Sequence, residues 1–153
     1  GFELDAAKKI ENTDLNKGSE VINVSEIEFY DSFNGVQNVM TTVETPTQKA
    51  QETYDLIASL VALAMPDCKI SPASIQEVTY GSNKYGLLEF SNQCGDVFTS
   101  YTNFFLDGPL SKNASSPTGT VKQWLRINIS KNDQKAKIGQ SFLEKFLSSI
   151  QYK

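Results

Sequence analysis

Histidine is absent from this chain. The side chain that most often serves as general base, proton shuttle and metal ligand near neutral pH is therefore missing, which excludes serine-histidine and cysteine-histidine nucleophile systems. Arginine is almost absent as well: Arg126 is the one basic residue of 14 that is not lysine. Two-pronged recognition of phosphates and guanine edges favours arginine, so a chain of net charge -4 with a single guanidinium is a poor nucleic-acid binder. No apolar run approaches the ~20 residues that a membrane-spanning helix requires. The nucleophile-elbow, phosphate-loop, dinucleotide and zinc-protease patterns are missing too, and no residue pattern calls for a cofactor or a metal.

Cysteine is scarce, with Cys68 and Cys94 alone. Two thiolates without histidine make a poor zinc site, whereas an even count suits a bridge. A Cys68–Cys94 disulfide would contribute roughly 3 to 4 kcal/mol in the chain-entropy picture, and it implies an oxidising location, periplasmic or secreted. A cysteine nucleophile would need one of these thiols to be free and a base other than imidazole.

What the sequence does contain is ordinary for a globular protein. Its 153 residues, 39% hydrophobic and 21% charged, suit one domain with one core. Charge is uneven: residues 1–65 hold 11 acids against 4 lysines, net -7, and residues 66–153 hold 7 acids against 10 bases, net +3. Such asymmetry either draws the halves together or offers an acidic face to a basic partner. Residues 1–20, rich in charge and Asn, are expected to be flexible, the spacer that an envelope protein anchored at its N-terminus would need. Residues 21–153 are expected to form the domain.

The pattern predicts an α+β fold with N-terminal helices, an antiparallel meander of about four strands, and a C-terminal helix packed on the sheet. Ser25 and Glu28 form a capping-box pattern ahead of Ile27, Tyr30, Phe33, Val36 and Met40, which recur at helical intervals. Val21, Ile22 and Val24 would also suit a short strand. Thr45, Pro46 and Gln48 open a clearer helix, with Ala50, Tyr54, Ile57, Ala58, Val61, Ala64 and Met65 on one face and Leu60 and Leu63 widening it. A helix apolar over so much of its girth is expected to be buried near its C-terminal end, before Pro66 stops it.

Strands are expected at Ile75–Tyr80, Lys84–Ser91, Val97–Leu106 and Val121–Ser130, with an exposed loop over Asp107–Pro109 and 111–120 between the last two. Residues 97–106 also match helical spacing, and their Thr, Ser, Asn and aromatic content decides for strand. A last helix capped by Asp133 would align Ile138, Phe142, Leu143, Phe146, Leu147 and Ile150.

Few residues suggest chemistry. Glu77 and Glu89 are the carboxylates to test for glycosidase-like catalysis. If Tyr80 faces Tyr85 across the turn, the two acids lie on opposite faces of the sheet, which disfavours a dyad. Glu28 and Asp31 share a helical face, as solvated pairs commonly do. Asp14–Glu20 begins like a calcium loop, but Gly18 and Ser19 stand where a ligand and the turn glycine belong. Asn23, Asn113 and Asn128 open glycosylation triplets at a frequency that chance explains.

Aromatic residues remain. Trp124 alternates onto the polar face of its strand with Lys122 and Arg126, and Tyr85 combines contact area with a polar tip. Either a helix covers that face or Trp124 meets a partner. The leading expectation is a non-enzymatic, extracytoplasmic protein-binding module of bacterial type, with Trp124, Lys122, Arg126 and Tyr85 or the acidic half as its contact surface. A small carboxylate-dependent hydrolase and a tethered structural envelope protein are the alternatives.

Overall fold

The computed structural model describes residues 2–4, 13–17, 20–31, 45–112, 120–131 and 140–152. In chain order the elements are β1 (Phe2–Leu4), β2 (Thr13–Lys17), β3 (Glu20–Asp31), α1 (Pro46–Ala64), β4 (Cys68–Ile70), β5 (Ser74–Tyr80), β6 (Asn83–Cys94), β7 (Val97–Lys112), β8 (Thr120–Lys131), α2 (Gln140–Ser149) and β9 (Ile150–Tyr152). The fold is α+β, built on an antiparallel sheet whose order is β2-β3-β8-β7-β6, with β4 and β5 both along the far side of β6. β1 and β9 pair separately and in parallel.

Two tight turns set the registers of the central hairpins. The loops Gly81-Ser82 and Gly95-Asp96 each have two residues, and both glycines sit at φ 62°. Two-residue hairpins need primed turns to match strand twist, and those demand a positive φ at the first loop position, which only glycine adopts cheaply. The first turn is tighter than expected: Tyr80 pairs with Asn83, and Tyr85 lies opposite Val78. A slip of two residues keeps every side chain on its own face. Glu77 opposite Gly86 and Glu89 opposite Ser74 therefore still point to opposite sides of the sheet.

Each face of the sheet has its own core. On one, Tyr85, Leu87, Phe104, Leu106, Leu125, Ile127 and Ile129 pack with Leu147 and Ile150, and Leu143 and Phe146 of α2 lean against them. On the other, Leu88, Phe90 and Phe105 pack under Ala50, Tyr54 and Ile57 of α1. Strict alternation along β6, β7 and β8 feeds both cores at once. The sheet is a middle layer between two helices.

α1 starts as the sequence predicts. Thr45 caps it, with its hydroxyl accepting from the Gln48 amide while its own amide donates to Gln48 Oε1 at 2.7 Å, and Pro46 occupies the first turn. This reciprocal box satisfies donors that a helix start otherwise leaves open. The start lies very near the sheet, because a Cβ built on Gly86 would sit 2.3 Å from the Pro46 carbonyl oxygen. Backbone cannot yield as a side-chain tip does. Gly86→Ala is expected to cost about 1–3 kcal/mol, the range for forcing a methyl into a filled space, as read from urea unfolding. Unchanged stability would show that the helix start shifts freely.

Several expectations need correction. Residues 25–31 belong to β3 and pair with β8 from Ile27↔Leu125 to Asp31↔Val121, so the first expected helix is a strand there, and residues 32–40 lie outside the described residues. Pairing against β8 outweighs a local helical spacing that β-branched Val21, Ile22, Val24 and Ile27 support poorly. The loop expected from Asp107 is instead strand as far as Lys112. Gly108-Pro109 is absorbed as a register shift between Asp107 and Leu110, a bulge that tolerates the missing proline N–H. Ile150 belongs to β9 rather than to the last helix, and the expected cap Asp133 lies outside the described residues. Within the segment expected to be a tether, Phe2–Leu4 and Thr13–Lys17 are strands.

Cys68 and Cys94 form the expected disulfide, 26 residues apart, directly opposite each other on β4 and β6 with Cα atoms 4.2 Å apart. Between β4 and β5 the edge is broken at Ser71-Pro72-Ala73, and the pairing with β6 slips by one residue. Ser71 bridges the gap. Its amide donates to the Ser91 carbonyl and its hydroxyl accepts from the Ser91 amide, both at 2.8 Å, while Tyr54 of α1 donates to the Ser71 carbonyl at 2.6 Å.

Candidate functional site

The side chains expected to form one contact surface are separated. Trp124 shares the α1 face of β8 with Arg126 and Asn128, as the alternation predicts, but it is 0% exposed. A fully buried indole offers no contact surface. Lys122 is described only as a position on β8, opposite Tyr30 of β3 and Leu110 of β7.

Tyr85 lies on the opposite face, buried against α2. Its hydroxyl donates to the Leu147 carbonyl, and Asn83 Nδ2 donates to that carbonyl at 3.0 Å and to the Ile150 carbonyl at 2.8 Å. The last turn of α2 thus finds donors for carbonyls that a helix end leaves open. Burial raises the Tyr85 phenol well above its ordinary pKa, and the Asn83 hydrogen bond only partly opposes this, so it stays a neutral donor. Tyr85 is a structural clamp.

Arg126 does reach a site. Close approach at Gly86 holds the start of α1 down on the sheet, but the C-terminal half of the helix leaves the space beneath it unfilled. A pocket of about 180 Å³ opens there. Ile57 and Val61 of α1 with Met65 at its C-cap form the roof, Ile70, Phe90 and Tyr101 the apolar wall, and Asn92, Arg126 and Asn128 the polar floor. Phe90 and Tyr101 face each other across β6 and β7, with rings stacked at 5.0 Å and 17° between their planes.

The floor is polar by strand register. Asn103 stands opposite Asn128, and its Oδ1 accepts from Arg126 Nε at 2.6 Å. That bond orients the guanidinium along the sheet surface. Asn92 Oδ1 and Asn128 Oδ1 are buried and meet no donor. Asn103 Nδ2 and Trp124 Nε1, on the same face, are likewise buried without an acceptor, and each such atom costs about 1–3 kcal/mol.

The remaining surface differs from expectation at α1. Leu56, Leu60 and Leu63 are 60%, 53% and 84% exposed, so the broad apolar girth of this helix is not buried near its C-terminal end among the described residues. Only the stripe through Ala50, Tyr54, Ile57 and Val61 faces the sheet. Sequence periodicity finds both stripes but does not say which of them meets the sheet.

The pocket lining holds one cation and no carboxylate, and Glu77 and Glu89 are exposed on opposite faces. Among the described residues no group of three metal-ligating side chains converges, and no helix is long and apolar enough to cross a membrane. No protein family, curated protein or solved structure matches the chain.

Proposed function

We propose that this chain is a non-enzymatic, protein-binding module of an oxidising, extracytoplasmic compartment, and that its contact surface is the outward face of α1. The observation that carries this reading is the ridge of Leu56, Leu60 and Leu63. A single exposed leucine is ordinary. Three at intervals of four and three residues lie along one side of a helix and form a continuous apolar strip. Asp55, beside Leu56, is exposed, and so is Glu52 one turn before it, whose charge is shared with Lys49 at 3.7 Å, so the strip ends at a carboxylate. The partner that fits is a protein presenting an apolar strip bordered by lysine or arginine. This keeps the acidic half as the recognising half and moves the anchor from Trp124 to leucines. The disulfide fits the compartment, because reducing cytosol seldom preserves such bridges.

A photo-crosslinking side chain placed at position 60, with a control at the exposed Glu89 on the opposite face of the sheet, tests the reading in cells of the native host. Crosslinks to one protein are expected from position 60 and not from 89. Leu56→Asp or Leu63→Asp should abolish them while changing unfolding free energy by less than about 1 kcal/mol, as for surface substitutions. Equal crosslinking from both positions would defeat the proposal. So would a loss of several kcal/mol in the Asp variants, because the ridge would then belong to the core.

A further inference from the structure

We infer that the outer edge of β5 is a docking site for a short extended segment of another protein, laid antiparallel along Ser74–Tyr80 with a lysine or arginine opposite Glu77. Among the described strands β5 pairs with β6 alone, so its second edge carries no ladder. The register says which backbone groups are left over. Tyr80 and Asn83 close a two-residue loop and therefore form a hydrogen-bonded pair, and such pairs alternate along an antiparallel ladder. Ser74, Gln76, Val78 and Tyr80 thus turn their amides and carbonyls to β6, whereas Ile75, Glu77 and Thr79 turn theirs outward.

The usual protections of an edge are thin along this strand. Its register with β6 runs without a bulge from Ser74 to Tyr80, and it holds no proline and no lysine. Ile75 and Val78 are only half-buried, so an added strand has apolar surface to cover. The break at Ser71-Pro72-Ala73 and the turn at Gly81-Ser82 bound the edge and limit the segment to the seven residues of β5.

Glu77 sets the partner's charge. It is exposed and stands at the middle of the strand, so two copies of β5 paired about a two-fold axis would place it against itself. Like charges directly opposite destabilise a cross-strand pair and opposite charges stabilise it, so the carboxylate that turns away a second copy favours a basic strand. The inference does not rest on the leucine ridge of α1.

Two peptides test it by NMR on the oxidised, full-length protein: seven residues of alternating threonine and valine with lysine at the centre, and the same peptide with glutamate there. In the free protein the Ile75, Glu77 and Thr79 amides should exchange with deuterium about tenfold or more faster than those of Gln76 and Val78. The lysine peptide should shift those three amides, slow their exchange, and bind about threefold or more tightly than the glutamate peptide. N-methylation of its second, fourth and sixth residues, which removes the donors facing β5, should abolish binding. Glu77→Lys should reverse the order of the two peptides while leaving Tm within about 2 °C, as for a surface substitution. Equal protection of outward and inward amides in the free protein would overturn the inference, because the edge would then already be occupied. So would the absence of shifts at millimolar lysine peptide, binding of its N-methylated form, or a preference for lysine that survives Glu77→Lys.

Discussion

Trp124→Ala is expected to lower the free energy of unfolding by about 3–5 kcal/mol, the range for emptying a large aromatic site in a core. The indole is fully buried on the α1 face of β8, flanked across the ladder by the Asp107 position on β7 and the Glu28 position on β3. Its size makes it the largest of the fully buried side chains, so the cavity left behind would be correspondingly large. Equilibrium denaturation measures the loss. Trp124 is also the only tryptophan, so its fluorescence reports the same property without mutation: emission should be blue in the native protein and move to the red on unfolding. A loss below about 0.5 kcal/mol, the surface range, together with red native emission, would return Trp124 to the exterior.

Opening the Cys68–Cys94 bridge should cost nearly as much. The closed segment of 26 residues corresponds to roughly 3 to 4 kcal/mol of chain entropy removed from the unfolded state, or on the order of 10 °C in Tm for a chain of this length. Calorimetry of the oxidised protein against Cys68→Ser/Cys94→Ser gives the difference, and equal melting temperatures would show that the bridge constrains nothing. A second effect is local. Among the described strands β4 makes its ladder with β6 alone, and it carries Ile70 into the pocket wall, so reduction should loosen this wall even at temperatures where the sheet is intact.

How far the sequence can be read depends on whether one element suffices to decide an outcome. The start of α1 is local chemistry, since Thr45, Pro46 and Gln48 meet all their own requirements, and it stands where the spacing puts it. Alternation along 121–130 is likewise local, and it places Trp124 beside Arg126 on the correct face. Whether that face meets water is decided by residues outside β8, among them those of α1 that line the pocket over Arg126 and Asn128, and nothing in β8 records it. β3 shows the converse: Ile27 and Tyr30 satisfy a helical spacing, but a partner strand from the other end of the chain takes the segment. The hairpin register differs by two residues from the expected one because Gly81-Ser82 alone closes the turn, with Asn83 already paired. The pocket could not have been seen at all. Its nine residues come from five elements and the C-cap of α1 and include no motif, and the orphaned amides of Asn92, Asn103 and Asn128 become recognisable only once burial is known.

The interruption at Ser71-Pro72-Ala73 has a bearing on life at high concentration. An edge strand running unbroken from Cys68 to Tyr80 would present a long rail of unused backbone groups to any other molecule of the same kind. Here the rail is cut in the middle. Pro72 has no N–H to offer, the Ser71 carbonyl is already taken by Tyr54, and the one-residue slip puts the two halves out of step for a straight incoming strand. The same three residues that let the chain turn a corner beside β6 therefore also guard this side of the sheet against stacking into fibres.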